Sequence, residues 1–404
     1  MGKKRGFHSQ TLSNGLRVIF EERNIPVIST IAASRFGSGF ETEKLKGIAH
    51  FIEHSVFKGT KTRDAREISK EIEKKGGEWN AFTAEEETAF WIKLGAEHIE
   101  SSIDIISDIM LDPAFNIKDI EIERGVILEE IKMYHDLPQY YVLDRLKESL
   151  FNRPFGLSAL GTREIIGKVP IEVLRKNHHR FYDPSNIVLV YVGKADFEDI
   201  VALTGKHFSR KSKKIRFNHE ISIAEGSFSK ITEKRKSIDQ AQLALGFHMP
   251  SRLDKRRYAA EVFNAYLGEG MSSPLFQEIR EKRGLAYSVR SILEQGRNYG
   301  YSAITVGTVK EKLPDIKRMI LKEIKRTGIL KSRDFEETKE QLIGKYEINT
   351  ENSMRTAQAL LYEELTEGAE EHYKYPERIS SVNISDVRKL SKIKEYGSVE
   401  VVPE

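Results

Sequence analysis

Two histidines four residues apart, with an acid between them, are the residues of this chain best suited to chemistry. The run Gly47-Ile48-Ala49-His50-Phe51-Ile52-Glu53-His54-Ser55-Val56-Phe57 reads as a short helix. Residues at i and i+4 share a helix face, so His50 and His54 can grip one metal ion through their imidazoles. Glu53 stands beside His54 and one turn after His50, which aims its carboxylate at the same ion. Ile48, Phe51, Ile52 and Ser55 fall largely on the opposite side, where the helix can be buried. An i,i+4 His pair alone is compatible with mere surface polarity. The order His-x-x-Glu-His is more specific, being the reverse of the zincin pattern and associated with metallopeptidases.

Catalytic zinc takes three protein ligands and keeps one position open. Acids suited to complete the set lie downstream, in Glu121-Ile122-Glu123-Arg124-Gly125-Val126-Ile127-Leu128-Glu129-Glu130-Ile131-Lys132-Met133. Glu123 and Glu130 are seven apart, two turns on one helix face, so either can reach the ion while the other supports it.

With these two stretches the chain resembles the pitrilysin/insulinase family of inverted zinc metallopeptidases in its short form, close to the processing-peptidase β-subunit and its bacterial relatives. The resemblance implies one Zn2+ per chain, held by His50, His54 and a Glu some 76 residues after the second His, which is Glu130. It also implies Glu53 as the catalytic base and Glu123 as the acid that supports the ligands. Glu129 is adjacent to Glu130 but turned about 100° around the helix. A further family-like stretch is Pro274-Leu275-Phe276-Gln277-Glu278-Ile279-Arg280-Glu281-Lys282-Arg283-Gly284-Leu285-Ala286-Tyr287-Ser288-Val289. Here the resemblance implies that Arg280 and Tyr287 bind the substrate and the developing oxyanion, as donors preorganised toward a carbonyl oxygen. In Gly76-Gly77-Glu78-Trp79-Asn80-Ala81-Phe82-Thr83 the double Gly stops a helix. The resemblance adds an edge strand on which an extended substrate pairs by backbone hydrogen bonds, with Asn80, Ala81 and Phe82 in contact.

The elements that must position these residues come in two similar sets. In the first half, strands are expected over 15–20, 29–34, 87–94 and 186–193, with helices over 64–75, 98–111, 117–134, 139–151 and 169–181 besides the His helix. The second half repeats the order: strands over 242–247, 299–308 and 398–402, with helices over 257–267, 312–327, 332–348, 356–367 and 385–392. Where the first half has His-Phe-Ile-Glu-His, the second has Glu261-Val262-Phe263-Asn264-Ala265-Tyr266-Leu267, which offers no comparable ligand set. The expected fold is α+β, two homologous domains formed by internal duplication, each a mainly antiparallel sheet packed against helices. The domains are placed at 1–210 and 227–404, the second supplying Arg280 and Tyr287, with a linker at 211–226. Arg210-Lys211-Ser212-Lys213-Lys214 reads as a solvated charge run. Gly268 to Pro274 is Gly-rich but lacks a phosphate-binding context and reads as a turn, and His135, His178, His179, His207, His219 and His248 read as surface or packing histidines.

Composition narrows the function classes. At 404 residues the chain is too long for one core. With no Cys, disulfides, thiol catalysis and thiolate metal sites are excluded, and a reducing cytoplasm is the simplest location. The net charge of +4 reflects 65 basic against 61 acidic residues, too small an excess to require a nucleic-acid partner. No run approaches the roughly eighteen apolar residues of a membrane span. The start, Met1-Gly2-Lys3-Lys4-Arg5-Gly6-Phe7, is basic without the apolar core of a secretory signal, and Gly at position 6 argues against myristoylation. A charged fraction of 31% without Cys fits a thermophile's surface. The sequence is therefore read as a zinc endopeptidase hydrolysing peptides or unfolded segments inside an enclosed chamber. A homodimer is the expected assembly. A heterodimer with a related subunit, or a non-catalytic or partner-dependent subunit of such a pair, is the alternative.

Overall fold

The structure is a computed structural model that describes residues 6–213, 217–236 and 238–404. The basic start Met1–Arg5 and Lys214, the last member of the charge run, lie outside the described residues. The chain forms two compact units.

The first unit carries a six-stranded sheet made of β1 (Phe7–Thr11), β2 (Arg17–Glu22), β3 (Val27–Ser34), β4 (Glu78–Thr83), β5 (Thr88–Gly95) and β6 (Ile187–Gly193), in the order β1-β2-β6-β3-β5-β4. Only β2 and β6 pair in parallel. The run Ile-Val-Leu-Val-Tyr-Val-Gly of β6 is buried at every residue, which suits its central place. Helix α1 (Ile48–Val56) packs on β4 and β5, α2 (Ala65–Glu73) on β4, and α3 (Ile99–Leu111) on β5 and β3. Asp64 starts α2 with a capping box: its carboxylate accepts from Glu67 N at 2.8 Å while the Glu67 carboxylate accepts from Asp64 N. The long α4 (Ile117–Asp136) follows, then α5 (Pro138–Leu150).

The second unit carries a five-stranded sheet of β7 (Lys230–Arg235), β8 (Ala241–His248), β9 (Ser288–Gln295), β10 (Gly300–Thr308) and β11 (Gly397–Pro403), ordered β7-β11-β8-β10-β9. Again one pair is parallel, β7 with β11, and the rest are antiparallel. This ladder reproduces β2-β6-β3-β5-β4 strand for strand. The α+β architecture and the duplication expected from element order are both present.

The units are not contiguous in sequence. One consists of Met1–Ile131, Ala159–Ile221 and Asn349–His372, the other of Lys132–Ser158, Ser222–Ile348 and Tyr373–Glu404, whereas the sequence reading cut the chain at 211–226. In the first unit, the helix Ser353–Glu364 lies on β3 and β6, with Ser353 Oγ 2.8 Å from Ser29 Oγ and Glu364 accepting from Arg17 at 2.9 Å. In the second, α5 lies on β8 and β11. Each sheet is thus covered by a helix from the sequence half of the other. Local periodicity marks both helices but carries no information on which sheet they cover.

Four strands escape the pattern reading, β1, β4, β7 and β9, of which β4 was expected from the family resemblance alone. Lys-Ile-Thr-Glu-Lys-Arg of β7 alternates exposed and half-buried positions and is mostly charged, as befits an edge strand. A helix over Phe197–His207 was also not foreseen; Asp196 caps it by accepting from Glu198 N at 2.8 Å. The charge run is more anchored than its composition suggests. Arg210 pairs with Asp112 at 2.9 Å, and Asp183 accepts from Ser212 Oγ at 2.7 Å and Lys213 N at 2.8 Å. Ile221, inside the expected linker, is buried. Among the described residues no helix is long and apolar enough to cross a membrane.

Candidate metal centre

Helix α1 is anchored before it begins. Gly47 precedes it at φ 92°, a conformation that favours glycine, and a Cβ there would stand 2.6 Å from the Leu160 carbonyl oxygen. The Glu41 carboxylate accepts from Gly47 N at 2.9 Å and from Ala49 N at 2.6 Å, satisfying free amides at the positive end of the helix. Lys46, fully buried, lies 3.7 Å from the same carboxylate and donates to the Ser38 carbonyl at 2.7 Å. Ile48, Phe51, Ile52, Ser55 and Val56 are buried, as the amphipathic reading required. His50 and Glu53 are also almost fully enclosed, at 9% and 8% exposure, so the polar face of α1 looks into a site and not into open solvent.

The second helix of the centre, α4, buries Ile120, Glu123 and Ile127. Arg124 holds it in place: the guanidinium donates to the Val169 carbonyl at 3.0 Å and to that of Ile166, and sits 5.2 Å from the centre of the Phe51 ring. This arrangement brings Glu130 to α1. Its Oε2 lies 3.7 Å from His50 Nε2 and 3.5 Å from His54 Nε2, and the two rings are 4.5 Å apart at 70°. The donor atoms of His50, His54 and Glu130 all fall within 4.8 Å of one another. Tetrahedral zinc with bonds of about 2.0–2.1 Å needs donors roughly 3.3–3.4 Å apart. The two Glu130 contacts, at 3.7 and 3.5 Å, already approach that spacing, and the donor types fit such an ion.

The electrostatics suit an ion as well. Burial, reinforced by His54, depresses His50 to a pKa of about 3, so its lone pair is free at neutral pH. Burial raises the Glu130 carboxyl, with His54 opposing and Glu123 adding to the rise. At His54 burial disfavours the charge, but the hydrogen bond to Glu123 and the nearby carboxylates outweigh it and the pKa is raised. Three carboxylates stand close to two imidazoles, a donor set that a divalent cation would suit.

Around this trio stand three further groups. Glu123 Oε2 lies 2.9 Å from His54 Nδ1, which orients the ring with Nε2 toward Glu130. Burial would raise the Glu123 carboxyl, but hydrogen bonds from His54 and Lys58 hold it below the usual carboxylate range. Lys58 Nζ lies 2.5 Å from Glu123 Oε1. Glu53 accepts from Thr83 Oγ1 at 2.5 Å, and burial raises its carboxyl against the opposing Thr83 bond and His54 charge. Thr83 ends the edge strand β4, so the carboxylate is tied to that strand.

Glu129 is exposed, away from this cluster. On β4, Asn80 is exposed while Ala81 and Phe82 are half-buried, and among the described residues the strand pairs with β5 alone. Arg280 and Tyr287 lie together in the second unit, both exposed, with the guanidinium 5.4 Å from the Tyr287 ring centre. Sequence reasoning missed Thr83 and Lys58. Lys58 could have been found, because it stands four residues after His54. Thr83, thirty residues from Glu53, has no spacing signal.

A His-x-x-Glu-His helix, a glutamate from a second helix and a duplicated α+β scaffold define a class of protein, the peptidases of inverted metal motif. Two family models match the chain, "Insulinase (Peptidase family M16)" over residues 21–163 and "Peptidase M16 inactive domain" over residues 168–342. The chain belongs to the M16, or insulinase, peptidase family. It is 34% identical to an uncharacterized zinc protease of Bacillus subtilis, over 85% of this chain and 84% of that one. It is 30% identical to an uncharacterized zinc protease of Mycobacterium tuberculosis, over 97% and 92% of the two chains. The fold matches a protease from Helicobacter pylori with a TM-score of 0.92 at 23% identity, covering 99% of this chain and 100% of that one. It also matches an M16 inactive domain from Pseudomonas fluorescens with a TM-score of 0.88 at 18% identity, covering 99% and 98%.

Proposed function

We propose that the chain is a zinc-dependent endopeptidase that hydrolyses extended peptides or unfolded protein segments. The observation that carries this reading is the enclosed Glu53 carboxylate standing beside the His50, His54 and Glu130 donors while tied through Thr83 to an edge strand. His50, His54 and Glu130 would hold the ion, one per chain. Bound there, zinc supplies Lewis acidity, polarising the scissile carbonyl and lowering the pKa of a water. Glu53 takes the proton from the attacking water and passes it to the leaving nitrogen. Its raised carboxyl pKa suits both halves of that transfer. Glu123 keeps His54 oriented. The substrate adds to the free edge of β4 by backbone hydrogen bonds, in contact with Asn80, Ala81 and Phe82, while Arg280 and Tyr287 donate to the substrate carbonyl as its charge develops.

A second reading is favoured by one finding. The model matching residues 168–342 describes an inactive domain, which agrees with a second half whose described residues include no metal-ligating group. In this reading the chain is a partner-dependent subunit whose metal half works only beside a related chain. Glu53→Gln separates base from ligand. The variant should retain zinc at wild-type stoichiometry while peptide hydrolysis falls by roughly 10²–10⁴-fold, measured by mass spectrometry of products from a mixed peptide library. Wild-type cleavage by this variant removes Glu53 from the mechanism. No cleavage by the zinc-loaded wild type alone favours the partner-dependent subunit.

A further inference from the structure

We propose that Lys58 is a positioning residue of the metal centre, setting the orientation of His54 through Glu123; the proposal rests on the zinc reading above. Glu123 is 4% exposed, and its two oxygens are divided between two partners. Oε2 meets His54 Nδ1 at 2.9 Å, and Oε1 meets Lys58 Nζ at 2.5 Å. A carboxylate held at one oxygen can swing about its χ3 bond; held at both, it cannot. The fixed Oε2 accepts from Nδ1–H, so the lone pair of His54 is confined to Nε2, 3.5 Å from Glu130 Oε2.

The placement of Lys58 makes this coupling tight. Helix α1 ends at Val56 with Phe57 as its C-cap, so Lys58 follows one residue beyond it. A cation there is favoured by the unsatisfied carbonyls of the last turn. Thus α1 supplies the ligand imidazole, the residue just past its C-cap supplies the ammonium, and both hold the one carboxylate that α4 brings. Taking a carboxylate out of water is costly unless it is paired. An imidazole holding an ion through Nε2 would give Glu123 a hydrogen bond from Nδ1–H without being an imidazolium, and Lys58 supplies a full opposite charge. The side chain keeps 37% of its surface exposed, so its loss opens no core cavity.

The test uses the full chain as wild type, Lys58→Met, Lys58→Gln, Lys58→Arg, Glu123→Gln and the double variant Lys58→Met/Glu123→Gln. Zinc affinity is read by competition with a chromophoric chelator, and ligand geometry by the visible absorption of the cobalt-loaded protein. The melting temperature of the metal-free protein checks that each variant folds. Glu123→Gln should weaken zinc by about 10–100-fold, the range for partners of metal-bound histidines. Lys58→Met and Lys58→Gln should weaken it by about tenfold and shift the cobalt spectrum in the same direction, and Lys58→Arg should restore both. The double variant should bind no more weakly than Glu123→Gln, because Lys58 has nothing left to act through. Wild-type zinc affinity in both Lys58→Met and Lys58→Gln, beside a weakened Glu123→Gln, overturns the proposal and leaves the zinc reading intact. So does a double variant that shows the product of the two single losses, since Lys58 would then act independently. A wild-type chain that takes up no zinc removes the zinc reading and this proposal with it.

Discussion

Glu123, Glu129 and Glu130 occupy one helix within eight residues, yet they stand in three different environments. Glu130 faces both imidazoles through one oxygen. Glu123 meets His54 on its other nitrogen, and Glu129 looks outward. These positions rank the effect of removing each charge. Glu130→Gln should lose most of the bound zinc, Glu123→Gln should weaken binding by about 10–100-fold, and Glu129→Gln should leave it unchanged. Metal content of the three purified variants after dialysis against a weak chelator decides the order; Glu129→Gln as the most damaging would overturn the ligand assignment. At this scale the sequence was legible wherever spacing was short. His50, Glu53 and His54 declare themselves because one helical turn fixes their common face. Glu123 and Glu130 were left as equal candidates by periodicity, since seven residues return both to one face. The choice between them needs the approach of α1 to α4, which is tertiary. Thr83 was illegible because a strand end and a helix face meet only in the fold.

Elements decide whether those side chains stay in place. Helix α1 is nine residues long, too short to be stable by its own propensity, and depends on burial and on its anchored start. Glu41 has two tasks there: it accepts two amides at the helix start and neutralises Lys46, both side chains being fully enclosed. Removing one partner of a buried pair costs on the order of 3–5 kcal/mol. Glu41→Gln should therefore lower the urea midpoint of the first unit, and Glu41→Gln/Lys46→Met should recover part of the loss. The chain's two tryptophans, Trp79 and Trp91, lie on β4 and β5, so their fluorescence follows that unit alone. An unchanged midpoint would mean that the pair carries no weight in holding α1. Elements such as α1, β5 and β6 were legible in the sequence, α1 by its apolar face, β5 by its apolar and β-branched content and β6 by a continuous apolar run. The edge strands β1, β4, β7 and β9 were not legible from pattern, since a strand with one neighbour and wet side chains has little hydrophobic pattern to show. The helices Pro138–Leu150 and Ser353–Glu364 were legible as helices, but the sheets they cover were not. An apolar stripe requires a partner without naming it.

At the scale of the molecule, one ladder of strands is used twice, and helices packed beside one copy bring His50, His54 and Glu130 together. In the second copy, Glu261 and Asn264 stand in the stretch that replaces His50 and Glu53. Glu261 accepts from Tyr375 Oη at 2.7 Å, and Asn264 from Ser291 Oγ at 2.5 Å, so both polar groups are used for internal bonds. That unit instead exposes Arg280 and Tyr287 side by side. The family resemblance relates the chain to long relatives with about twice as many domains, in which an Arg/Tyr segment faces the zinc across an enclosed chamber. A short chain would reach the same domain number by pairing, and two-fold symmetry is the commonest way to close such a pair. The proposed assembly is a homodimer in which the metal centre of each subunit works with Arg280 and Tyr287 of the other. Complementation between two inactive proteins tests it. Glu53→Gln keeps a sound Arg280, and Arg280→Ala keeps a sound metal centre, so each mixed dimer contains one complete site and one doubly defective site. With random exchange of equal amounts, about half of the dimers are mixed, and the mixture should regain roughly a quarter of the wild-type peptide hydrolysis while either protein alone stays near background. Subunit exchange is verified beforehand with two differently labelled preparations. No recovery despite complete exchange would mean that each chain builds its site alone or that an unlike partner supplies the missing half; an added metal-free relative that restores activity to Arg280→Ala would identify the latter.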